Sequence, residues 1–521
     1  MSYIRLSNIF TDTLPADPEL ANFPRQVQNA CYSWVKPKGM AHPQMIIFSE
    51  ELANDLDIPS DYCTSQTFTD IMTGNQLAVN SKPYAMCYGG HQFGNWANQL
   101  GDGRAINLGE IPTKKGHLNL QLKGAGPTPY SRTADGFAVL RSSIREFLCS
   151  EAMHHLGVPT TRALSLTLTG EDVLRDMMYN GNAAYEKGAV VCRVSQAFIR
   201  FGNFEILAAR KDLDNLKKLL DFTINEYFPN LTKNENLYLT FFKEVCEKTC
   251  DMIVHWQRVG FVHGVMNTDN MSILSETIDY GPYGWMDNYD PDWTPNTTDL
   301  PGKRYRFGNQ PIIAQWNLLK LANAIFPMMT DQEEALSQTI QDFRIQYASK
   351  YQVMMKNKLG LYVDQDSDEG LIYELEQMLK TAEVDMTIFF RLLSNVNKDT
   401  DISLIIDVIS PSFYQDDIDD DDEEKITSWF EKYINRLGYE VTTNEERQAK
   451  MNSTNPKYVL RNYMAQLAID EADKGNYGLI HELHQLLKRP YDEQIEYEKW
   501  FAKRPDWARQ KVGCSMLSCS S

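Results

Sequence analysis

The sequence predicts an α+β fold with two lobes, a strand-rich lobe followed by a helix-rich lobe, and an extension at each end of the chain. Dense glycine and a period-two alternation of apolar and polar residues concentrate between residues 84 and 194. Helical periodicity dominates from about residue 204 onward. A chain of 521 residues is long enough for two or three ordinary domains, or for one large core with additions at both ends.

The first part of the chain predicts an extension and then a set of strands. Residues 1–83 mix short apolar runs with Pro and Gly and are expected to wrap around the body of the protein. Residues 84–190 are assigned to the strand-rich lobe. Its clearest strand is His117–Lys123, where alternation indicates a half-buried strand that ends on a lysine before Gly124 breaks it. Further strands are expected at Ala163–Leu168 and Ala189–Val194.

Helices are predicted within and after the strand-rich lobe. Phe137–Leu156 has apolar residues at helical spacing and carries Glu146. Residues 191–400 are assigned to a helical lobe that contains catalytic and metal-binding loops, and residues 401–521 to a helical extension with a cysteine-containing tail. The later helices are expected at Leu239–Gln257, Gln315–Ala324, Asp331–Met354 and Arg461–Leu487. The acidic run Asp416–Glu424 lacks the spacing of a calcium loop and predicts a solvated, self-repelling loop.

Composition and charge limit the classes of partner. The net charge of −19 argues against a non-specific nucleic-acid or anionic-membrane surface, since both need a positive field. The sequence has no apolar run near the roughly 20 residues that cross a bilayer, and its start does not resemble a targeting signal. We therefore expect a cytoplasmic protein that acts on small molecules or proteins. Its nine cysteines lack metal-ligand spacing and are expected to be mostly buried free thiols.

The loop from His263 to Asn270 is the most informative segment. A protein-kinase catalytic loop reads H-R-D-x-x-x-x-N and is followed by D-F-G; the first Asp orients the acceptor hydroxyl, while the Asn and the second Asp hold metal on the ATP phosphates. His263 and Asn270 keep that spacing and Asp279 opens an Asp-Tyr-Gly triplet, but Val265 stands where the catalytic Asp belongs. A carboxylate reappears at Asp269. The loop is predicted to be rearranged rather than inactive, in a two-lobed protein-kinase-like fold.

Three further elements precede this loop in kinase order. Gly101 and Gly103 form a G-x-G turn where backbone amides can approach phosphate oxygens. Lys123 ends a strand where the kinase β3 lysine would stand, and Glu146 follows at about the offset of its partner glutamate. Each has an ordinary alternative, because such turns, strand-end lysines and helix glutamates are usually structural or solvated. Their common order favours a nucleotide site.

Longer strings resemble one known family. They are Gly101–Arg104, Gln121–Arg132, Arg193–Gly202 and His263–Ser272. These strings resemble the selenoprotein O family, called YdiU in bacteria. The resemblance is close over residues 84–320, and the short polar end Cys519-Ser520-Ser521 agrees with it.

The resemblance implies a pseudokinase that binds ATP flipped relative to true kinases and transfers AMP to Ser, Thr or Tyr hydroxyls of proteins, with release of pyrophosphate. It implies that Glu146 fixes Lys123 and that Asn270 and Asp279 hold Mg²⁺, or Mn²⁺. The residues that it implies in nucleotide binding are Gly101, Gly103, Arg104, Lys123, Asp135, Gly136, Arg193, Arg200 and Asp279.

A flipped nucleotide agrees with the chemistry of the residues. The β- and γ-phosphates would point where a kinase places adenosine, and a buried polyphosphate left unpaired would cost several kcal/mol. Arg193 and Arg200 are the obvious cations for that position. Seven residues apart, they can sit two turns along one helix face or flank a strand and its turn; the alternative is that they are surface arginines.

Asp269 is the predicted proton acceptor. A carboxylate next to a metal ligand should stay ionised near neutral pH, because the cation favours the charged form. It can then take the hydroxyl proton as attack on the α-phosphorus develops. The alternative role for Asp269 is to cap the loop by bonding a backbone amide.

The resemblance also bears on the tail. Many eukaryotic relatives place selenocysteine where Cys519 stands, and a C-terminal thiol in that family is linked to redox control. Some bacterial relatives carry a partner cysteine just before an Asn-x-Ser/Thr-Asp string, but here Pro295 precedes the string at residues 296–299. Cys514 is the only nearby partner in sequence, and a tail thiol without function is the alternative.

Three classes of function stay open at this point. The leading class is protein adenylylation, with a close variant that transfers UMP from UTP with Mn²⁺. An ordinary kinase is disfavoured by Val265. A non-catalytic nucleotide-binding scaffold is disfavoured because Lys123, Asp269, Asn270 and Asp279 are all present. The expected partners are ATP and proteins with Ser, Thr or Tyr acceptors, the chain itself among the candidates, and we expect a monomer.

Overall fold

The computed structural model describes residues 3–114, 116–381, 383–415 and 418–518, and these form a mixed α and β structure with an antiparallel sheet and many helices. The strands in this part of the chain are β1 (Tyr32–Trp34), β2 (Gln44–Phe48), β3 (Tyr84–Met86), β4 (His91–Gln92), β5 (Asn95–Trp96), β6 (Ala105–Thr113), β7 (Gly116–Lys123), β8 (Ala138–Val139), β9 (Arg162–Arg175), β10 (Ala184–Ser195), β11 (Phe261–Val262) and β12 (Gly284–Trp285).

The helices of the described residues lie mostly after the large sheet. They are α1 (Ile9–Thr13), α2 (Glu50–Asp55), α3 (Ser60–Cys63), α4 (Gln66–Thr73), α5 (Leu140–His155), α6 (Phe201–Ala209), α7 (Leu213–Tyr227), α8 (Leu237–Val259), α9 (Gln310–Ile325), α10 (Glu333–Leu359), α11 (Asp368–Thr381), α12 (Met386–Leu392), α13 (Ile405–Ile409), α14 (Asp420–Leu437), α15 (Asn444–Thr454), α16 (Asn462–Asp473) and α17 (Gly478–Leu487). The predicted order, strands first and helices later, is confirmed.

The large sheet sets the position of several polar side chains. Its strand order is β1-β3-β6-β7-β10-β9-β2, with β8 on β10, so that β1 and β2 from the first 83 residues occupy its two edges. In the antiparallel pairing of β7 with β10, Arg193 lies opposite Gln121 and Val191 opposite Lys123. Directly opposed residues share one face, and so do residues two apart on a strand. Lys123, Gln121 and Arg193 therefore project from the same face of the sheet.

The two faces of the sheet are covered differently. Helix α5 packs on β9 and β10 through a buried stripe that includes Ile144, Phe147 and Leu148, and this core continues into the helices α6 to α9. Leu120, Leu122 and residues of α4 form a separate core on the other face. The polar face of β7 and β10 is thus turned toward the helical part of the protein.

Two sequence predictions for the C-terminal part are wrong. The predicted helix Arg461–Leu487 is two helices, α16 and α17, because the chain turns at Gly475, whose φ of +86° is left-handed and ends a helix readily. The acidic run is not a loop over its whole length, since α14 begins at Asp420. The Asp419 carboxylate accepts from the backbone N–H of Asp422, and acidic side chains are stabilised near a helix N-terminus. Asp416 and Asp417 lie outside the described residues.

Two further expectations concern the cysteines and the membrane. The eight cysteines in the described ranges are buried free thiols, as predicted for the seven outside the tail. Cys514 was expected in a small polar tail and is buried as well, whereas Cys519 lies outside those ranges. Burial raises the pKa of the Cys514 thiol to about 11. Among the helices of the described residues, none combines the length and the apolar character that crossing a bilayer requires.

Candidate functional site

A cleft of about 670 Å³ lies between the polar face of the sheet and the loops that precede α6 and follow β11. It brings together eleven of the twelve residues singled out from the sequence: Gly101, Gly103, Arg104, Lys123, Asp135, Gly136, Arg193, Arg200, Asp269, Asn270 and Asp279. The twelfth, Glu146, stands behind Lys123 on α5. Residues that are far apart in sequence therefore share one cavity.

Lys123 ends β7 at the inner wall of the cleft. Its Nζ lies 2.7 Å from Glu146 Oε2 and 3.5 Å from Asp279 Oδ1. Burial lowers the pKa of Lys123, and the two carboxylates oppose that effect. The amine is thus held between two anions at the closed side of the cavity, on the face of the sheet that the strand pairing dictates.

Arg193 and Arg200 stand beside Lys123, and both side chains are only 2% exposed. Arg193 lies on β10, where it donates to Glu146 over 3.1 Å and contacts Asp279 and Gln121. Of the two arrangements that the sequence left open, the structure has a strand and the turn after it, not one helix face. Neither arginine is a surface residue.

The backbone fixes Arg200 directly before α6. Arg200 donates from Nη1 to the Asp269 carbonyl over 2.7 Å and contacts the Asp279 carboxylate. Its guanidinium lies 4.8 Å from the centroid of the Tyr88 ring. Burial alone would raise the pKa of Asp279, but Arg200, Arg193 and Lys123 hold it well below the usual range.

Asn270 and Asp279 are the residues that could hold a metal. The Asn270 amide donates from Nδ2 to the Val265 carbonyl over 2.9 Å, which leaves its oxygen as the atom not used by that bond. A carboxylate and an amide oxygen fit a hard divalent cation such as Mg²⁺. The described residues contain no cluster of three or more His, Cys, Asp or Glu side chains suited to a metal.

Asp269 is held by a residue that the sequence did not reveal. Gln92 Nε2 donates to Asp269 Oδ2 over 3.1 Å, whereas Oδ1 has no hydrogen-bond partner among the described residues. Burial raises the pKa of Asp269 to about 7, and Gln92 and Arg200 offset only part of this rise. In the metal-free protein, burial therefore outweighs the nearby positive charge in setting the pKa of Asp269. The prediction that Asp269 stays ionised applies to a site with a bound cation and stays a prediction.

The β4–β5 hairpin is hydrogen-bonded to the loop that contains Asp269. The backbone N–H of His91 donates to Thr268 Oγ1 over 2.7 Å, and that of Phe93 donates to Asn267 Oδ1 over 3.2 Å. His91 Nδ1 lies 2.6 Å from Glu205. The glycines before His91 are evident in the sequence. Hydrogen bonds between residues more than 170 positions apart, however, have no local sequence pattern that could predict them.

Neighbouring loops leave no room for a side chain at two glycines of the cleft. A Cβ on Gly101, whose φ is +82°, would lie 2.4 Å from the Tyr130 ring, and one on Gly136 would lie 2.3 Å from Pro127. These contacts explain the glycines without a ligand. Arg104 lines the cavity and is half-buried.

Asp135 lies at the exposed mouth of the cleft. Its carboxylate pairs with Arg175 at the end of β9, with both guanidinium contacts at 2.7 Å. Arg175 was missed in the sequence, because a lone arginine at the end of a strand carries no specific pattern. Leu174 and Tyr179, near the same turn, also line the mouth.

Comparisons with known proteins agree on one family. A family model described as "Protein adenylyltransferase SelO" matches residues 19–488. "Protein nucleotidyltransferase YdiU" of Flavobacterium johnsoniae is 57% identical over 523 residues, which cover 100% of each chain. Proteins with the same description from Rhodopirellula baltica and from Azoarcus sp. are 51% and 54% identical, and 99% of each chain is covered in both comparisons.

Proposed function

The chain belongs to the family described as protein adenylyltransferase SelO, and on that premise we propose that it transfers AMP from ATP to Ser, Thr or Tyr hydroxyls of proteins. It is a protein nucleotidyltransferase, the description that its relatives share. The choice of AMP and the orientation of ATP are parts of the proposal. We also propose that the sheet and the helices form the two lobes of a protein-kinase-like fold.

The burial of Arg193 and Arg200 beside Lys123 is the observation that carries this proposal. Arg193 and Arg200 line the closed side of the cleft beside Lys123, in the segment where a kinase would keep an apolar slot for adenine. Guanidinium groups match phosphate oxygens in both geometry and charge, whereas a neutral purine leaves the charge of two buried arginines uncompensated. A polyphosphate therefore fits this side, which turns the nucleotide around and brings the α-phosphorus toward the acceptor.

The present contacts of these cations indicate how a nucleotide is accommodated. In this structure Asp279 forms ion pairs with both arginines, and Glu146 forms ion pairs with Lys123 and Arg193. Phosphate oxygens can replace the Asp279 carboxylate on the arginines, which frees Asp279 to turn toward a cation. Asn270 and Asp279 would hold Mg²⁺ or Mn²⁺ there. Such a cation, when bound, neutralises charge that develops on the phosphates.

Asp269 is the proposed proton acceptor. The acceptor hydroxyl oxygen forms a bond to the α-phosphorus, its proton passes to the Asp269 carboxylate, and the bond from the α-phosphorus to the bridging oxygen breaks. The electron pair of that bond leaves with pyrophosphate, whose charge Lys123, Arg193 and Arg200 balance. Asp269 lines the cleft, and one oxygen of its carboxylate has no hydrogen-bond partner among the described residues, so that oxygen is open to the proton.

Nucleotides labelled at different phosphates test this function. The wild-type protein is incubated with protein acceptors and Mg²⁺ or Mn²⁺, and with ATP labelled at the α- or the γ-phosphate. Protein-bound α-label supports the proposal, γ-label indicates a kinase, and no label in either case indicates a nucleotide-binding scaffold. UTP labelled at the α-phosphate, supplied in competition, shows whether UMP is transferred in preference to AMP. Asp269→Asn serves as the control and should bind ATP without transfer.

A further inference from the structure

Helix α9 is apolar on two opposite faces. Its inner face, which includes Ile313 and Leu318, is buried in the core. On the outer face Ile312, Trp316 and Leu319 recur at positions i, i+4 and i+7, so they lie in one row. Ile312 is 63% exposed and Leu319 is 39% exposed. A row of exposed apolar side chains of this kind is typical of a contact surface, and the described part of the chain leaves Ile312 and Leu319 exposed.

Two cations flank the tryptophan of this row. The Arg304 guanidinium carbon and the Lys320 Nζ each lie 4.6 Å from the centroid of the Trp316 ring. Among the described residues neither has a carboxylate within salt-bridge distance, and two nitrogens of Arg304, Nε and Nη2, are buried without a hydrogen-bond partner. Both cations thus lie against the same aromatic ring without a carboxylate paired to either of them. Their arrangement suits an anion from another molecule.

The nearby carboxylates are used elsewhere. Asp299 accepts from the backbone N–H groups of Arg304 and Tyr305, at 3.0 and 2.8 Å. Glu205 binds the His91 ring. Asp292 pairs with Arg306 over 2.9 Å. The charge of Arg304 and Lys320 is thus not neutralised by direct contact with these groups.

The β4–β5 hairpin connects this surface to the reacting part of the cleft. Gln92 binds Asp269, while the His91 ring stacks edge-on against Trp316 with centroids 5.5 Å apart. A Cβ built on Gly94 would lie 3.6 Å from the Arg304 guanidinium carbon. The Cα atoms of Gln92 and Gly94 can be at most about 7.6 Å apart. A few residues of extended peptide are therefore enough to reach from the acceptor hydroxyl to the cations.

We propose that this surface, formed by Ile312, Trp316, Leu319, Arg304 and Lys320, docks the acceptor protein. The acceptor segment would place an apolar side chain on the α9 row and an Asp or Glu carboxylate between Arg304 and Lys320, within about four residues of the modified hydroxyl. This inference rests on the proposed function, since it names the class of protein that the transfer reaction selects. A net negative enzyme selects acidic segments only where it carries a local positive surface.

A peptide library with charge reversal tests the proposal. Peptides with a central Ser, Thr or Tyr and one varied position are incubated with ATP labelled at the α-phosphate and Mg²⁺ or Mn²⁺. Wild type should prefer Asp or Glu over Lys or Arg at one or two positions, by about fivefold or more. Arg304→Glu/Lys320→Glu should reverse the preference to Lys or Arg, whereas Lys233→Glu/Lys398→Glu changes the net charge equally and should leave it intact. Retention of the acidic preference in the Arg304→Glu/Lys320→Glu variant overturns the proposal.

A second pair of variants tests the apolar row. Ile312→Ser/Leu319→Ser should raise KM for acceptor peptides, while Ile345→Ser/Val353→Ser, at exposed positions on α10, should not. ATP affinity and the release of pyrophosphate without acceptor should stay unchanged in all four variants, which separates docking from chemistry. Absence of α-label from every peptide and protein with wild type would instead contradict the proposed function. A change of oligomeric state in Ile312→Ser/Leu319→Ser, measured by light scattering, would mean that a second copy of the chain covers the row and would also overturn the proposal.

Discussion

Gln92 and Asp269 are joined by a hydrogen bond of 3.1 Å between Nε2 and Oδ2 across 177 positions of sequence. The bond ties the β4–β5 hairpin to the loop that carries the proposed proton acceptor. It fixes one carboxylate oxygen, while the other faces Gly90 and has no partner among the described residues. The position of the Asp269 carboxylate thus depends on a hairpin from the strand-rich part of the chain.

Replacement of Gln92 should slow the chemical step without weakening ATP binding. We expect Gln92→Leu to lower kcat for AMP transfer about tenfold, since a mobile carboxylate is less often in position to take the proton. ATP affinity by calorimetry should stay within about twofold of wild type. The melting temperature of Gln92→Leu should stay close to that of wild type, because only one hydrogen bond is lost. A fall in melting temperature and in ATP affinity that parallels the loss of transfer would show that Gln92 acts only through the fold.

Gly90 should be intolerant of a single methyl group. A Cβ at this position would lie 2.7 Å from Asp269 Oδ1, so Gly90→Ala must displace the carboxylate. We expect AMP transfer to fall by about tenfold or more while the melting temperature changes little. Gly39→Ala is the matched control, since nothing lies within 4 Å of a Cβ there. Full activity of Gly90→Ala would contradict the placement of Asp269 in the reaction.

Local patterns predicted the parts of the site that lie on regular elements. The alternation of His117–Lys123 placed Lys123 at the end of a strand, and the periodicity around Glu146 placed that residue on the next helix. The kinase-like order and offset of Lys123 and Glu146 in the chain predicted that these two residues pair. By contrast, a spacing of seven residues suits a helix face as well as a strand and its turn, and the sheet register that decides this for Arg193 is set by distant strands.

The properties that depend on burial were beyond the sequence. The pKa of Asp269 depends on how deeply the folded protein buries its carboxyl group, and the sequence alone does not show that depth. Gln92 and Arg175 could not be predicted either. Each reaches the site through a turn, and turns have no periodic sequence pattern. The helical start of the acidic run was missed because its buried face, with Trp429 and Tyr433, lies downstream of the charges.

Asp279 should control whether the cleft binds phosphate with or without a metal. In Asp279→Asn the charged partner of Arg193 and Arg200 is removed, so metal-free ATP or pyrophosphate should bind about tenfold more tightly than in wild type. The same variant should lose metal-dependent AMP transfer, because one of the two proposed ligands is weakened. Calorimetry with and without Mg²⁺ measures both effects. Weaker binding of metal-free pyrophosphate by the variant would contradict the view that Asp279 competes with phosphate for the arginines.

The buried pair of Glu151 and Arg162 should give the fold a defined dependence on acid. Two hydrogen bonds of 2.7 Å join the side chains. Burial alone would raise the pKa of Glu151, but the Arg162 guanidinium outweighs burial and holds that pKa at about 2, below its ordinary value of 4.5. A depressed carboxyl pKa stabilises the folded state above pH 4.5, and this contribution, about 3 kcal/mol, is lost as the pH falls from 4.5 toward 2. Unfolding of wild type and Glu151→Gln, followed from pH 7 to pH 2, should therefore differ most above pH 4.5 and converge near pH 2. Glu424→Gln, at an exposed position, should follow wild type throughout. A difference between wild type and Glu151→Gln that stays constant over this range would mean that the pair contributes through packing and not through its charge.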